Sequence, residues 1–130
     1  MTERRTAQKS AIHGAVTGSS RPLTAHEVLE VAQRDVPSIG IATVYRQLKR
    51  LAGQQQIVSV ELPGEPARYE CASHDHHHHF QCEACGLVFD IPGCSEHIEH
   101  GVPEGFEVRR HEVVLYGACS ECATTERSAT

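Results

Sequence analysis

Two cysteine pairs carry the most specific chemistry in this chain. Cys82-Glu83-Ala84-Cys85 and Cys119-Ser120-Glu121-Cys122 each have CxxC spacing. On a tight turn that spacing presents two thiolates to one ion, and two such turns complete a closed tetrahedral site. A closed four-sulfur site is structural, because no position remains for water or substrate. The alternative use of CxxC, a redox dithiol, belongs at a helix start beside a strand–helix–strand pattern, and none is seen around either pair. The expected occupant of Cys82, Cys85, Cys119 and Cys122 is therefore Zn(II). The gap between the pairs is longer than in an ordinary zinc ribbon, so strands must lie between them.

A second set of donors sits directly upstream. His74-Asp75-His76-His77-His78-His79 runs into Phe80 and Cys82. In an extended segment alternate side chains face opposite ways, so His77 and His79 would serve one site while His76 and His78 serve another. Each half-site needs further ligands, for which Glu70, Cys71, Asp90, Cys94, His97, His100 and His111 are candidates. Lone histidines such as His13, His26 and His100 are more often incidental. An open site with a general base beside it would instead mark a zinc hydrolase or deaminase. Glu70 or Asp90 could fill that role, but no His-x-Glu is followed by Pro-Cys-x-x-Cys, and the chain is short for a substrate pocket. A metal buffer built on the histidine run would leave the first half unexplained. The expectation is a protein without enzymatic activity or a small-molecule substrate.

The elements that must position these donors fall into two halves. The first reads as helices. Ala11, Ile12, Ala15 and Val16 repeat at helical spacing until Gly18-Ser19-Ser20, and Thr24 with Glu27 is a capping-box signature opening a second helix that Pro37 ends. Ile41, Val44, Leu48 and Leu51 mark one face of a third. Ile57, Val58 and Val60, the turn Pro63-Gly64-Glu65-Pro66 and the return at Arg68-Tyr69 then read as a β-hairpin. Three short helices and a hairpin outline a winged helix-turn-helix. In the second half Phe80–Cys82 and Leu87–Ile91 flank the first CxxC turn. Ser95 to Gly101 suggests a short helix, and Phe106–Val108 and Val113–Tyr116 suggest strands. The fold class expected is α+β: a winged-helix domain over 1–66, then a small α/β domain over 67–130 with a structural zinc site, and a hinge at about 62–70.

Bulk properties agree with this division. Hydrophobic residues are 39%, Trp is absent and aromatics are 5%, a thin supply for two cores that points to a metal or a partner subunit as support. The net charge is −5, unevenly spread: residues 1–66 hold eight basic and six acidic residues (+2), and residues 67–130 hold four and eleven (−7). A basic head on an acidic tail suits a protein that meets phosphate with one end. No apolar run matches a membrane span or a signal-peptide core. A cytoplasmic location is expected, where six cysteines are better read as metal ligands than as a disulfide framework.

These residues together resemble the ferric uptake regulator family. The resemblance is carried by Gly40-Ile41-Ala42-Thr43-Val44-Tyr45-Arg46, Arg68-Tyr69-Glu70, the histidine run leading to Cys82-x-x-Cys85, Gly105-Phe106, His111, and Leu115-Tyr116-Gly117-x-Cys119-x-x-Cys122. It spans about Thr6 to Cys122 and implies a homodimer that binds an inverted-repeat operator in double-stranded DNA. The third helix would be the recognition helix, with Thr43, Tyr45 and Arg46 toward the bases and Lys9, Lys49 and Arg50 on phosphates. Glu70, His77, His79 and Asp90 would form the regulatory metal site, and His76, His78 and His111 a second site in the dimerisation domain. The output implied is metal-dependent repression of metal-uptake genes.

The chain also departs from the family pattern. His97 stands where a Glu is common, making the second site richer in nitrogen. Pro22 occupies the place of a histidine used by iron and peroxide sensors, with His26 one turn later. Cys71 lies about one residue from a cysteine that zinc sensors use, and Cys94 is extra. These differences favour regulatory Zn(II) over Fe(II) or Mn(II), the latter being the iron-, manganese- or peroxide-sensing alternatives within the family.

Overall fold

The computed structural model describes residues 2–72, 77–93 and 101–129. It is a mixed α+β structure that divides into two compact units, Met1–His74 and Asp75–Thr130.

In the first unit the order is α1 (Thr2–Thr17), β1 (Leu23–Thr24), α2 (Ala25–Ala32), α3 (Ile41–Gly53), β2 (Ile57–Val60) and β3 (Arg68–Cys71). Helix α1 buries Ala11, Ile12, Ala15 and Val16, the helical-spacing set of the sequence. It stops at Gly18, whose N–H bonds to the Gly14 carbonyl at 2.9 Å. A Cβ at Gly18 would lie 2.8 Å from that oxygen, so the turn admits no side chain.

Helix α2 opens with the expected capping box: Glu27 N–H donates to Thr24 Oγ1 at 3.2 Å and Thr24 N–H to Glu27 Oε1 at 3.0 Å. Arg21 adds an ion pair to Glu27 at 2.9 Å. Burial alone would raise the Glu27 carboxyl. The Thr24 backbone bond and the Arg21 guanidinium outweigh it and hold the group below its ordinary value. The regular helix ends at Ala32, before Pro37. Hydrogen bonds from Arg34 to Val31 and from Asp35 to Ala32 tighten the chain into turns first, so Pro37 follows the stop without being its cause.

Helix α3 turns Val44, Leu48 and Leu51 inward, with Ile41 partly buried against the same core. Strand β3 is the middle of an antiparallel sheet ordered β1-β3-β2. Because Arg68, Tyr69 and Glu70 are thereby tied to β1 and β2, they fall in the first unit. The division comes after His74 and not at the 66/67 boundary read from the turn residues.

In the second unit the order is β4 (His77–Cys82), β5 (Val88–Pro92), β6 (Val114–Gly117) and α4 (Ser120–Ala129). The sheet is ordered β5-β4-β6, with β4 antiparallel to β5 and parallel to β6. A parallel neighbour needs a long crossover, which the residues between Pro92 and Val114 provide. The helix expected over Ser95–Gly101 lies largely outside the described residues. Phe106–Val108 is not a strand: the segment is irregular and Phe106 is 71% exposed. Its alternating pattern has no strand to pair with among the described residues. Helix α4, absent from the sequence reading, lacks an apolar stripe and could not be found by periodicity.

Two outcomes test the head. Thr24→Ala removes the N-cap acceptor and is expected to lower unfolding free energy by about 1 kcal/mol, read as a lower urea midpoint. A depressed carboxylate pKa contributes stability that is fully present above the ordinary value of 4.5 and is lost as pH falls through the native value. The stability gap between wild type and Glu27→Gln should therefore be flat above pH 4.5 and shrink below it; a gap that widens on acidification contradicts the assignment.

Candidate metal centres

The four thiols meet because three short elements end at one place. Cys82 closes β4, Cys85 follows on the turn to β5, and Cys119 and Cys122 straddle the start of α4. Gly86 makes the first turn possible. It has φ +78, and its N–H returns to the Cys82 carbonyl at 2.8 Å. Glu83 N–H bonds to the Gly117 carbonyl at 2.7 Å, fixing the second pair against the first.

All four sulfurs lie within 4.8 Å of one another. Cys85 and Cys119 Sγ are 3.9 Å apart. A tetrahedron with Zn–S bonds of about 2.3 Å has edges of roughly 3.8 Å, so the donor set fits Zn(II) in both type and spacing.

The electrostatics show what the cluster lacks without a cation. Cys82 is fully buried, yet its thiol is lowered to about 6, first by the Cys119 backbone N–H and then by that of Cys85. Each donates to Cys82 Sγ at 3.4 Å. Cys122 is pushed the other way, to about 12, foremost by its side-chain hydrogen bond with Cys119. One thiolate is tolerated and the next is resisted. A bound divalent ion reverses this logic and holds every sulfur as thiolate.

The second centre lies on β4 and β5. His77 and His79, two apart on β4, share a face, and Asp90 is directly opposite His79 across the strand pair. Asp90 Oδ1 is 3.6 Å from His77 Nε2 and 3.5 Å from His79 Nε2. The two rings meet edge to face with centroids 5.0 Å apart. Two imidazoles and a carboxylate thus converge as a half-buried N₂O donor set.

Glu70, in the first unit, is buried on β3 and paired with Val58. Cys71 is paired with Ile57, a residue of the head core, and shares its side of β3 with Tyr69, which packs on that core. It therefore lies on the opposite side of the strand from Glu70.

Of the other histidine set, His78 is buried and its ring lies 5.1 Å from that of His111. His76 and His97 fall outside the described residues, as do Cys94 and His100. The sequence reading missed that Val113 N–H donates to His78 Nδ1 at 3.1 Å. No spacing pattern encodes such a bond.

On α3, Val44, Leu48 and Leu51 face the core, and Tyr45, Arg46, Lys49 and Arg50 are exposed on the other side. Arg46 Nη2 donates to Thr43 Oγ1 at 3.0 Å. Lys9 is exposed on α1.

Residues 2–116 match the model of the ferric uptake regulator family. A peroxide-responsive repressor of Staphylococcus aureus is 30% identical over 121 residues, 90% of this chain and 80% of its own. Ferric uptake regulation protein 2 of Mycolicibacterium fortuitum is 27% identical over 123 residues, 91% of this chain and 84% of its own. Among solved structures, a zinc-bound manganese uptake regulator superposes with a TM-score of 0.76 at 27% identity, covering 91% of this chain and 94% of that one.

Replacing Cys82 by Ser should remove one tightly held zinc per chain and melt the second unit, since structural zinc binding is folding free energy. Zinc analysis with circular dichroism checks this, with Cys71→Ser as a control that keeps its zinc. Unchanged zinc content in Cys82→Ser contradicts the four-sulfur centre.

Proposed function

The chain belongs to the ferric uptake regulator family, and from that premise we propose that it is a zinc-dependent, DNA-binding repressor of metal-uptake genes. Proteins of this family are transcriptional regulators that bind metal and DNA as dimers, not enzymes. The observation that carries the finer reading is the convergence of His77, His79 and Asp90 immediately after the division between the two units. Glu70, the acidic residue on the last strand of the head, is proposed as a further donor, next to the hinge expected at about 62–70.

Zinc is favoured by the donors. Two imidazoles lead the set, and Pro22 stands where iron and peroxide sensors of the family use a histidine. Cys71 was a further reason to expect zinc. Its pairing with Ile57 places it on the core side of β3, so the preference rests on the imidazoles and not on a thiolate.

When bound, the ion supplies the charge that joins carboxylates from both units and so favours one arrangement of the head. The residues do the rest. Val44, Leu48 and Leu51 anchor α3 to the head core, leaving Tyr45 and Arg46 to approach base edges and Lys9, Lys49 and Arg50 to approach phosphates. Two copies of α3 must stand about 34–36 Å apart to enter successive major grooves. Exposed Phe106, Leu115 and Tyr116 in the second unit supply apolar surface for the dimer contact. Binding that ties each head to the dimer raises the fraction with correct spacing, provided the ion prefers that state.

The test is operator binding at one salt concentration. It uses dimer that retains the four-sulfur zinc and buffered Zn(II), Fe(II) or Mn(II). Zinc alone should restore tight binding, and His79→Ala should lose that response while keeping one zinc per chain. Arg46→Ala should weaken operator binding by about 1–3 kcal/mol if it reads a base. Restoration by Fe(II) or Mn(II) instead would assign the protein to the iron, manganese or peroxide branch. A metal response unaffected by His79→Ala would overturn the site.

A further inference from the structure

The resemblance directs Thr43 at the bases beside Tyr45 and Arg46, yet its hydroxyl is engaged within α3 itself. Arg46 Nη2 donates to Thr43 Oγ1 at 3.0 Å, one turn back along the helix. Other helical threonines of this chain do something different. Thr17, Thr124 and Thr125 donate to the carbonyls four residues earlier, those of His13, Ser120 and Glu121, at 3.0, 2.8 and 3.0 Å. The corresponding carbonyl for Thr43 is that of Ile39, which instead accepts from Gln33 Nε2 at 3.0 Å. With that carbonyl served from the end of α2, the Thr43 oxygen is turned to the guanidinium.

Such a tether suits a side chain that must read a base. Thr43 is half-buried, and a β-branched side chain in a helix has few χ1 choices, so its oxygen is close to a fixed point. Arg46 is exposed, and a long exposed side chain without a partner samples many rotamers. The partner is also neutral. Helix α3 contains no Asp or Glu, so no carboxylate of its own helix competes with DNA for the Arg46 charge. A guanidinium offers five N–H donors, and Thr43 takes one proton of Nη2. Whichever proton that is, either the Nε–Nη2 edge or the Nη1–Nη2 edge keeps both donors for the paired acceptors of a guanine. One hydroxyl oxygen thus orders the guanidinium without consuming its charge or its fork.

We infer that Thr43 is a positioning residue: its hydroxyl holds Arg46 in one orientation before DNA arrives, and sets the base preference of α3 without contacting a base. Ordering a rotamer-rich side chain in advance removes part of the cost of immobilising it at an interface. The gain falls on the base pair that Arg46 meets and nowhere else. This inference rests on the proposed DNA-binding role of α3 and adds the residue that sharpens its selectivity.

The experiment uses zinc-loaded full-length dimer and double-stranded oligonucleotides that the wild-type protein selects from a randomised inverted-repeat library. The selected sequence is then varied one base pair at a time at one salt concentration. Arg46→Ala identifies the pair that Arg46 reads. Thr43→Val keeps the shape of threonine without the acceptor, and should lower the preference at that same pair by about three- to tenfold. Thr43→Ser returns the acceptor and should return the preference. In the Arg46→Ala background Thr43→Val should change nothing further. Thr43→Ala, which favours the helix, should act as Thr43→Val does, so a folding defect in the valine protein leaves the test standing. A loss at a different base pair, or an equal loss in the Arg46→Ala background, would show Thr43 contacting DNA itself and overturn the inference. Selectivity indifferent to Thr43 would remove this inference alone, whereas a wild-type protein that selects no sequence would remove it together with the DNA-binding reading.

Discussion

Four sulfur atoms held within 4.8 Å of one another set the terms for the second unit. The backbone N–H groups of Cys85 and Cys119 stabilise one thiolate at Cys82, while Cys122 is driven to about 12 by its neighbours. The donor set suits a cation, whose charge would hold every sulfur as thiolate. The termini of β4, the turn before β5 and the first turn of α4 all converge on it. A three-stranded sheet with few large apolar residues has little else to hold it, since Cys82 and Val88 are its only fully buried side chains among those described. The β4–β5 hairpin that brings Asp90 opposite His79 turns at the first cysteine pair.

On the proposed function, the two centres divide stability from response. Four thiolates close the coordination of their ion and leave nothing to exchange. His77, His79 and Asp90 supply three donors from a single sheet, which is incomplete for a tetrahedral ion and leaves room for a ligand from elsewhere in the chain. Of three consecutive described histidines, two face a carboxylate and the one between them faces a backbone donor.

Much of this was legible in the residues. CxxC spacing found the four-sulfur centre, alternation separated His77 and His79 from His78, and the Thr24–Glu27 box with the Val44–Leu48–Leu51 stripe found the head. These features are local and periodic. What escaped was set by tertiary partners. Phe106–Val108 alternates like a strand but has no described neighbour to pair with, and α4 is a helix without an apolar face. The unit boundary moved past Cys71 because β3 pairs with β1 and β2, a long-range fact that the Pro63–Pro66 turn could not reveal. The same pairing sets Cys71 across from Ile57, on the opposite side of β3 from Glu70.

The central claim is that metal at His77, His79 and Asp90 and DNA at α3 favour the same arrangement of the dimer. Coupling of that kind is reciprocal, so the most direct measurement is the zinc affinity of the regulatory centre with and without saturating operator DNA. The account predicts that the operator tightens zinc binding by the same factor by which zinc tightens operator binding, and that Asp90→Ala removes both effects together. Equal zinc affinity in the presence and absence of operator would contradict it.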